Sequence, residues 1–136
     1  MEKYTFEATA AIENMEAVMA FIEERTASID NPRIARNLAM VVEELSLNVF
    51  NYAYDGVRGK FSLSIAIDRE RRRVVMEFCD VGKPFNPLLQ QAPDLDLPLS
   101  EREIGGLGIV LSRKLTDEQS YVREDGKNIL TVVKYY

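Results

Sequence analysis

At 136 residues the chain has the length of one domain, and its 17 Lys and Arg against 22 Asp and Glu leave a formal charge of −5, with no basic excess for a nucleic-acid surface. Apolar residues at 46% and charged residues at 29% suit a globular protein with one real core, and are too apolar for a disordered tail. There is no histidine and a single cysteine, Cys79, which excludes Ser-His-Asp and Cys-His catalysis, histidine-ligated zinc, a phospho-accepting histidine, an internal disulfide and any multi-cysteine metal site.

Tyr4 to Ala8 alternates apolar and polar residues, as a short strand does. Met15, Val18, Met19 and Ile22 then fall at helical spacing, with Ile29 closing the segment, and read as a core-packing amphipathic helix. Asn31-Pro32 restarts the chain with a favoured N-cap and a proline at ease in the first helical position. From there Ile34, Leu38, Val41, Val42, Leu45 and Val49 give one apolar face up to about Tyr54. Asp55-Gly56 and Gly59 mark a turn. Phe61, Leu63, Ile65 and Ile67 form a strand with one buried face, and a charged hairpin at Glu70 to Arg72 leads to a returning strand that ends at Asp80. Lys83 to Ile104 carries several prolines and no sustained period, a length without pattern that is uncommon inside a compact domain unless functional or mobile. Gly105-Gly106-Leu107-Gly108 opens a short helix containing Val110, Leu111 and Leu115. Gln119 to Arg123 and Ile129 to Tyr135 read as a closing hairpin turned at Asp125-Gly126-Lys127-Asn128. Clustered strands and helices in the order β-α-α-β-β-loop-α-β-β predict an α+β two-layer sandwich with a largely antiparallel sheet, in one domain over residues 1–136.

No stretch is long and apolar enough to span a membrane. The first residues lack the basic-then-apolar form of a signal peptide, and with a lone cysteine the expected location is a reducing cytoplasm.

Three short constellations carry chemistry. Glu44, Asn48 and Asn51 share one side of the long helix, with Glu44 and Asn48 beside its apolar stripe. A carboxylate can accept a proton or orient a water, and an amide oxygen can ligate Mg²⁺. On spacing alone, a solvated surface acid and a neutral helix residue explain the pair better. Asp80-Val81-Gly82 ends a strand. The Asp can accept from an amino group and the Gly admits a flat ligand, although Asp-x-Gly is also an ordinary turn. Gly105 to Gly108 at a helix start offers N–H groups to phosphate. It is neither a P-loop nor a dinucleotide-binding turn, and a plain hinge is its other reading. Asp94-Leu95-Asp96 lacks the glycine and glutamate that a calcium loop needs.

In this order the three resemble a known set. Glu43 to Tyr54 resembles the N box of the GHKL ATPases, Asp80 to Phe85 their first glycine box, and Gly105 to Leu111 their second. Length and the Tyr52-Ala53-Tyr54 ending resemble the stand-alone anti-sigma-factor serine kinases within that superfamily. The resemblance implies a Bergerat fold, a mixed, mostly antiparallel sheet with helices on one face and ATP held between the layers. It implies Glu44 as general base, Asn48 as Mg²⁺ ligand, Asp80 on the adenine amino group with Gly82 against the ring, and Gly106 and Gly108 at the phosphates. Residues 83–104 would be the ATP lid, and Thr131 is the choice for a last-strand residue near the adenine. Tyr52 departs from a frequent histidine, and Ile104 stands where some relatives carry an arginine.

The function implied is that of a serine-protein kinase and anti-sigma factor. It would bind a sigma factor and phosphorylate a serine of an anti-anti-sigma antagonist, with homodimers among the states its relatives adopt. The alternative is a nucleotide-sensing module of the same fold without useful kinase activity. A third reading, the catalytic domain of a two-component histidine kinase, is disfavoured by the absence of histidine.

Overall fold

The computed structural model describes residues 2–89 and 106–136, with side chains in the second stretch from Ile109 onward. The expected lid therefore enters it only as residues 83–89. Asp94, Asp96, Ile104 and Gly105 lie outside the described residues.

Alternation builds the sheet. Strand β1 spans Glu2–Thr9, β2 Lys60–Asp68, β3 Arg73–Asp80, β4 Glu118–Glu124 and β5 Lys127–Tyr135, in the spatial order β1-β2-β3-β5-β4. Every second residue faces one common layer. Leu63 stands opposite Phe6 and Phe78, and Phe78 opposite Leu130. Leu63, Ile65, Val74, Met76 and Val132 on this face are wholly or almost wholly buried. Each such side chain contributes about 1.5–3 kcal/mol by leaving water. The other face carries Thr5, Ser62, Ser64, Glu77 and Cys79, the polar half of the alternation.

Three helices cover the apolar face: α1 (Met15–Thr26), α2 (Pro32–Tyr52) and α3 (Gly106–Leu115). The N-cap reading of Asn31 holds, its Oδ1 accepting from Ile34 N at 3.3 Å with Pro32 following at the first helical position. Leu38, Val41, Val42 and Leu45 turn inward from α2, and join Val18 and Ile22 of α1 and Ile109 of α3 in one core with the sheet.

The expected α+β sandwich with helices on one face is present, but the sheet is not mixed: all four described pairings are antiparallel. Two helices lie between β1 and β2, so the chain reverses three times and returns pointing the opposite way. A single helix, α3, joins β3 to β4, so these strands point the same way. The hairpin then inserts β5 between them, and among the described strands no parallel pair forms. That hairpin turns on Asp125 and Gly126, at φ 50° and 75°. Two successive positive φ angles in a two-residue loop match the right-handed twist of the strands it joins.

Candidate functional site

The site lies at one end of the covered face, where the chain leaves β3. Alternation carries the inward series Val74, Met76, Phe78 to Asp80, and the inward series of β5 back through Val132 and Leu130 to Asn128. Asp80 and Asn128 are register partners, 7% and 5% exposed. Asp80 Oδ1 accepts from the Gly82 N–H and from Asn128 Nδ2, both at 2.9 Å. A buried carboxylate needs such partners to be tolerated.

The C-terminal end of α2 closes on this turn. Lys83 N donates to the Ala53 carbonyl at 3.1 Å, and Val81 N donates to the Tyr54 hydroxyl at 2.9 Å. The Tyr54 hydroxyl in turn donates to the Lys60 carbonyl, and burial is the largest cause raising its pKa. A Cβ on Gly82 would stand 2.2 Å from the Ala53 carbonyl oxygen. Glycine is therefore demanded here by helix-to-turn contact within the fold, a reason separate from a flat ligand. A Cβ on Gly59 would likewise enter the Tyr54 ring. The Tyr-Ala-Tyr ending is thus a clamp on the Asp80 turn.

Above Asp80 lies an apolar cavity lined by Leu45, Asn48, Val49, Phe78, Phe85 and Tyr121, with Asn128 and Leu130 behind. Its volume is about 30 Å³, room for a couple of water molecules. Phe85 and Pro87 form part of its wall. Their segment is held at several points: Arg123 donates to the Gly82 carbonyl at 2.8 Å, Asn128 to the Lys83 carbonyl at 2.8 Å, and Arg113 to the Leu88 carbonyl. A wider hollow of about 480 Å³ lies at the other side of the strand ends, among Glu7, Lys60, Cys79 and Lys127. The smaller cavity is the better candidate, because it joins apolar walls to convergent buried polar groups.

Asn48 lines the cavity, and its Nδ2 is buried with no hydrogen-bond partner among the described residues. An unpaired buried amide end costs about 1–3 kcal/mol and asks for a ligand. Glu44, half-buried, lies one helical turn back toward the N-terminus of α2, about 6 Å along its axis. A ligand with its base at Asp80 and its tail running back along α2 passes Asn48 and then Glu44. Among the described residues no group of three or more His, Cys, Asp or Glu could hold a metal. Mg²⁺ does not require one, since it is held by one or two side chains together with phosphate oxygens and water; the amide oxygen of Asn48 is of the type it takes, whereas the free Nδ2 is a donor and suits a ligand acceptor such as a phosphate oxygen.

Gly106 and Gly108 lie in the first turn of α3, whose Ile109 is buried in the same core as Leu45. Asn51 is exposed at the end of α2 and does not line the cavity with Asn48. Thr131 is a correction. It pairs with Glu77 and Ser120 on the open face of the sheet, because an odd step from Leu130 turns it away from the helices. The last-strand residues at the cavity are Asn128 and Leu130, of which Asn128 is the polar one, with Tyr121 of β4 beside it. Asn128, the last of the four residues expected in the hairpin turn, stands in β5 opposite Asp80 and Arg123. Strand parity ties it to Leu130, two residues on, but the apolar run from Ile129 to Val133 hides from the sequence which face the two share.

Among the described residues no helix is long and apolar enough to cross a membrane. A family model described as a histidine kinase-like ATPase domain matches residues 8–134. The serine/threonine-protein kinase BtrW of Bordetella bronchiseptica is 26% identical over 103 residues, 76% of this chain and 72% of that one. The crystal structure of the RsbU and RsbW domains of Rv1364c from Mycobacterium tuberculosis superposes with a TM-score of 0.69 at 14% identity, over 99% of this chain and 32% of that one. This chain thus spans about a third of the mycobacterial protein, and the likeness speaks for the fold alone. With the family match running over nearly its whole length, the chain belongs to the histidine kinase-like ATPases, a family of ATP-binding, kinase-like domains.

Proposed function

We propose that this domain binds ATP with Mg²⁺ between α2 and the sheet and transfers a phosphoryl group to a serine of an antagonist protein, acting as an anti-sigma factor toward a sigma factor. The observation that carries the reading is the buried Asp80 carboxylate. It is fixed on one oxygen by two N–H donors and set under an apolar cavity at the end of the helix that bears Asn48 and Glu44. A kinase-named relative of similar length supports the transfer.

In this reading Asp80 accepts from the adenine amino group, and Phe78, Val49 and Leu130 flank the ring. Asn48 holds Mg²⁺, which when bound offsets phosphate charge. Glu44 takes the proton of the attacking serine hydroxyl. The amides of Gly106 and Gly108 at the start of α3 meet phosphate oxygens, as helix N-termini favour. The phosphoserine formed carries about −1.5 to −2 charge, enough to alter a close protein interface. A cytoplasmic setting and a homodimer belong to the same proposal.

Glu44→Gln and Asn48→Ala test it, because they should fail differently. Glu44→Gln keeps size and hydrogen-bonding reach but removes the base. Phosphoryl transfer to the antagonist should fall by about 10²–10⁴-fold while ATP still binds. Asn48→Ala should weaken Mg-ATP binding itself in calorimetry. Equal transfer rates for Glu44→Gln and wild type would reduce Glu44 to a rim carboxylate. ATP binding with no transfer by wild type to any antagonist would replace the kinase by a nucleotide sensor, a reading that Ile104 before the glycines favours.

A further inference from the structure

Asn128 is the most fully engaged polar side chain at the site. A carboxamide has two N–H donors and two acceptor lone pairs, and here all four are used. Nδ2 donates to Asp80 Oδ1 at 2.9 Å and to the Lys83 carbonyl at 2.8 Å. Oδ1 accepts from Phe85 N at 3.3 Å and from the Tyr121 hydroxyl. This pattern fixes the orientation of the amide. Reversed, it would set an oxygen against the Asp80 carboxylate and the Lys83 carbonyl, and its NH₂ against the Phe85 N–H. The side chain is buried, so water does not readily replace a lost partner.

Two features depend on this one amide. The first is the set of the Asp80 carboxylate. With Oδ1 taken by Gly82 N and Asn128, no donor among the described residues reaches Oδ2, which is left as the acceptor for a ligand. The second is the path of residues 83–85. Asn128 grips this backbone at both its Lys83 and Phe85 ends, just before Phe85 and Pro87 wall the cavity.

We propose that Asn128 is a positioning residue that ties the base-reading carboxylate of Asp80 to the segment roofing the cavity. Selection of a purine with an exocyclic amine and the fit of Phe85 and Pro87 over it are then one event. The ligand in this inference rests on the ATP reading above; the hold of Asn128 on the roof does not.

The test uses calorimetric titration with Mg-ATP and Mg-ITP, whose base has a carbonyl in place of the amine, and exchange of the Phe85 amide hydrogen followed by NMR without nucleotide. Wild type should prefer ATP by at least about tenfold and protect the Phe85 amide. In Asn128→Ala, and in the similarly sized Asn128→Leu, the ATP-to-ITP preference should fall by about tenfold. Phe85 exchange should speed up by a similar factor. A residue that serves only stability would weaken both nucleotides equally. A folded variant that keeps the preference, or keeps the Phe85 protection, overturns the proposal. If neither variant folds, wild type decides: rapid Phe85 exchange or equal affinity for the two nucleotides overturns it. Wild type that binds neither nucleotide sinks the ATP reading instead, and Phe85 exchange in the variants still decides whether Asn128 holds the roof.

Discussion

The two ends of the helix-covered face are made from the same strands on the same alternation, yet they are chemically opposite. At one end Val74, Ile67 and Met76 stand against the helices as hydrocarbon, fully or almost fully buried. At the other, the same inward series of β3 and β5 close on Asp80 and Asn128, just as register-matched and almost as buried. Position in the sheet does not explain the difference, since an apolar pair would pack there. Burying a carboxylate and an amide is costly unless each is hydrogen-bonded, and here each is. The polar end trades simple packing for directed acceptors, and it is the end that the tail of α2 and the start of the 83–89 segment both reach.

The sharpest way to separate the two ends is to damage the apolar one. Ile65→Ala on β2 removes buried methylene and methyl groups where Ile65 meets Tyr4 and Met76 across the strands. The expected loss is about 2–5 kcal/mol of unfolding free energy, read by chemical denaturation. ATP affinity measured well below the transition should stay close to that of wild type. A large loss of affinity in the folded variant would mean that the two ends are not separable.

Asp80→Asn damages the polar end in the converse way. The substituted amide can keep an oxygen toward Gly82 N and Asn128 Nδ2. Those two donors hold that orientation, since the reversed amide would bring N–H groups together. Its NH₂ then faces the ligand and meets the adenine amino group donor to donor. ATP affinity should drop by about 1–3 kcal/mol, or roughly 5–150-fold, in calorimetry, with a smaller change in stability. Unchanged affinity would remove Asp80 from base recognition.

The contrast between the ends also decided what the sequence could reveal. Apolar alternation over Phe61 to Ile67 is clean, because Ser62, Ser64 and Ala66 occupy the other face, so β2 and its inward residues were legible. Asp80 and Gly82 were legible because an acid and a glycine close an apolar strand. The last strand was not. Ile129 and Val133 on the open face are as apolar as Leu130 and Val132 on the covered one, so period two gives no parity. Thr131 sits in that ambiguous run and faces the open side of the sheet. Asn128 was hidden because Asn beside Asp-Gly is ordinary turn chemistry. The all-antiparallel pairing was hidden as well, since sequence order shows that α3 joins β3 to β4 but not that β5 lies between them.

The smallest expected effect tests how the polar end is organised internally. Tyr121 lies on the edge strand β4, and its hydroxyl donates to Asn128 Oδ1. Phe85 N reaches the same oxygen at 3.3 Å. Tyr121→Phe removes one of these two donors and leaves the ring in the cavity wall. Asn128 Oδ1 keeps a partner, and both N–H donors of the amide keep theirs. The cost should therefore be that of one ordinary hydrogen bond, about 0.5–1.5 kcal/mol of stability. ATP affinity should change only a few-fold, because Asp80 Oδ1 still receives Gly82 N and Asn128 Nδ2. If Tyr121→Phe impairs ATP binding as deeply as Asp80→Asn does, the carboxylate is set from the edge strand through the phenol. The division of the sheet into a packing end and a reading end would then have to extend to β4.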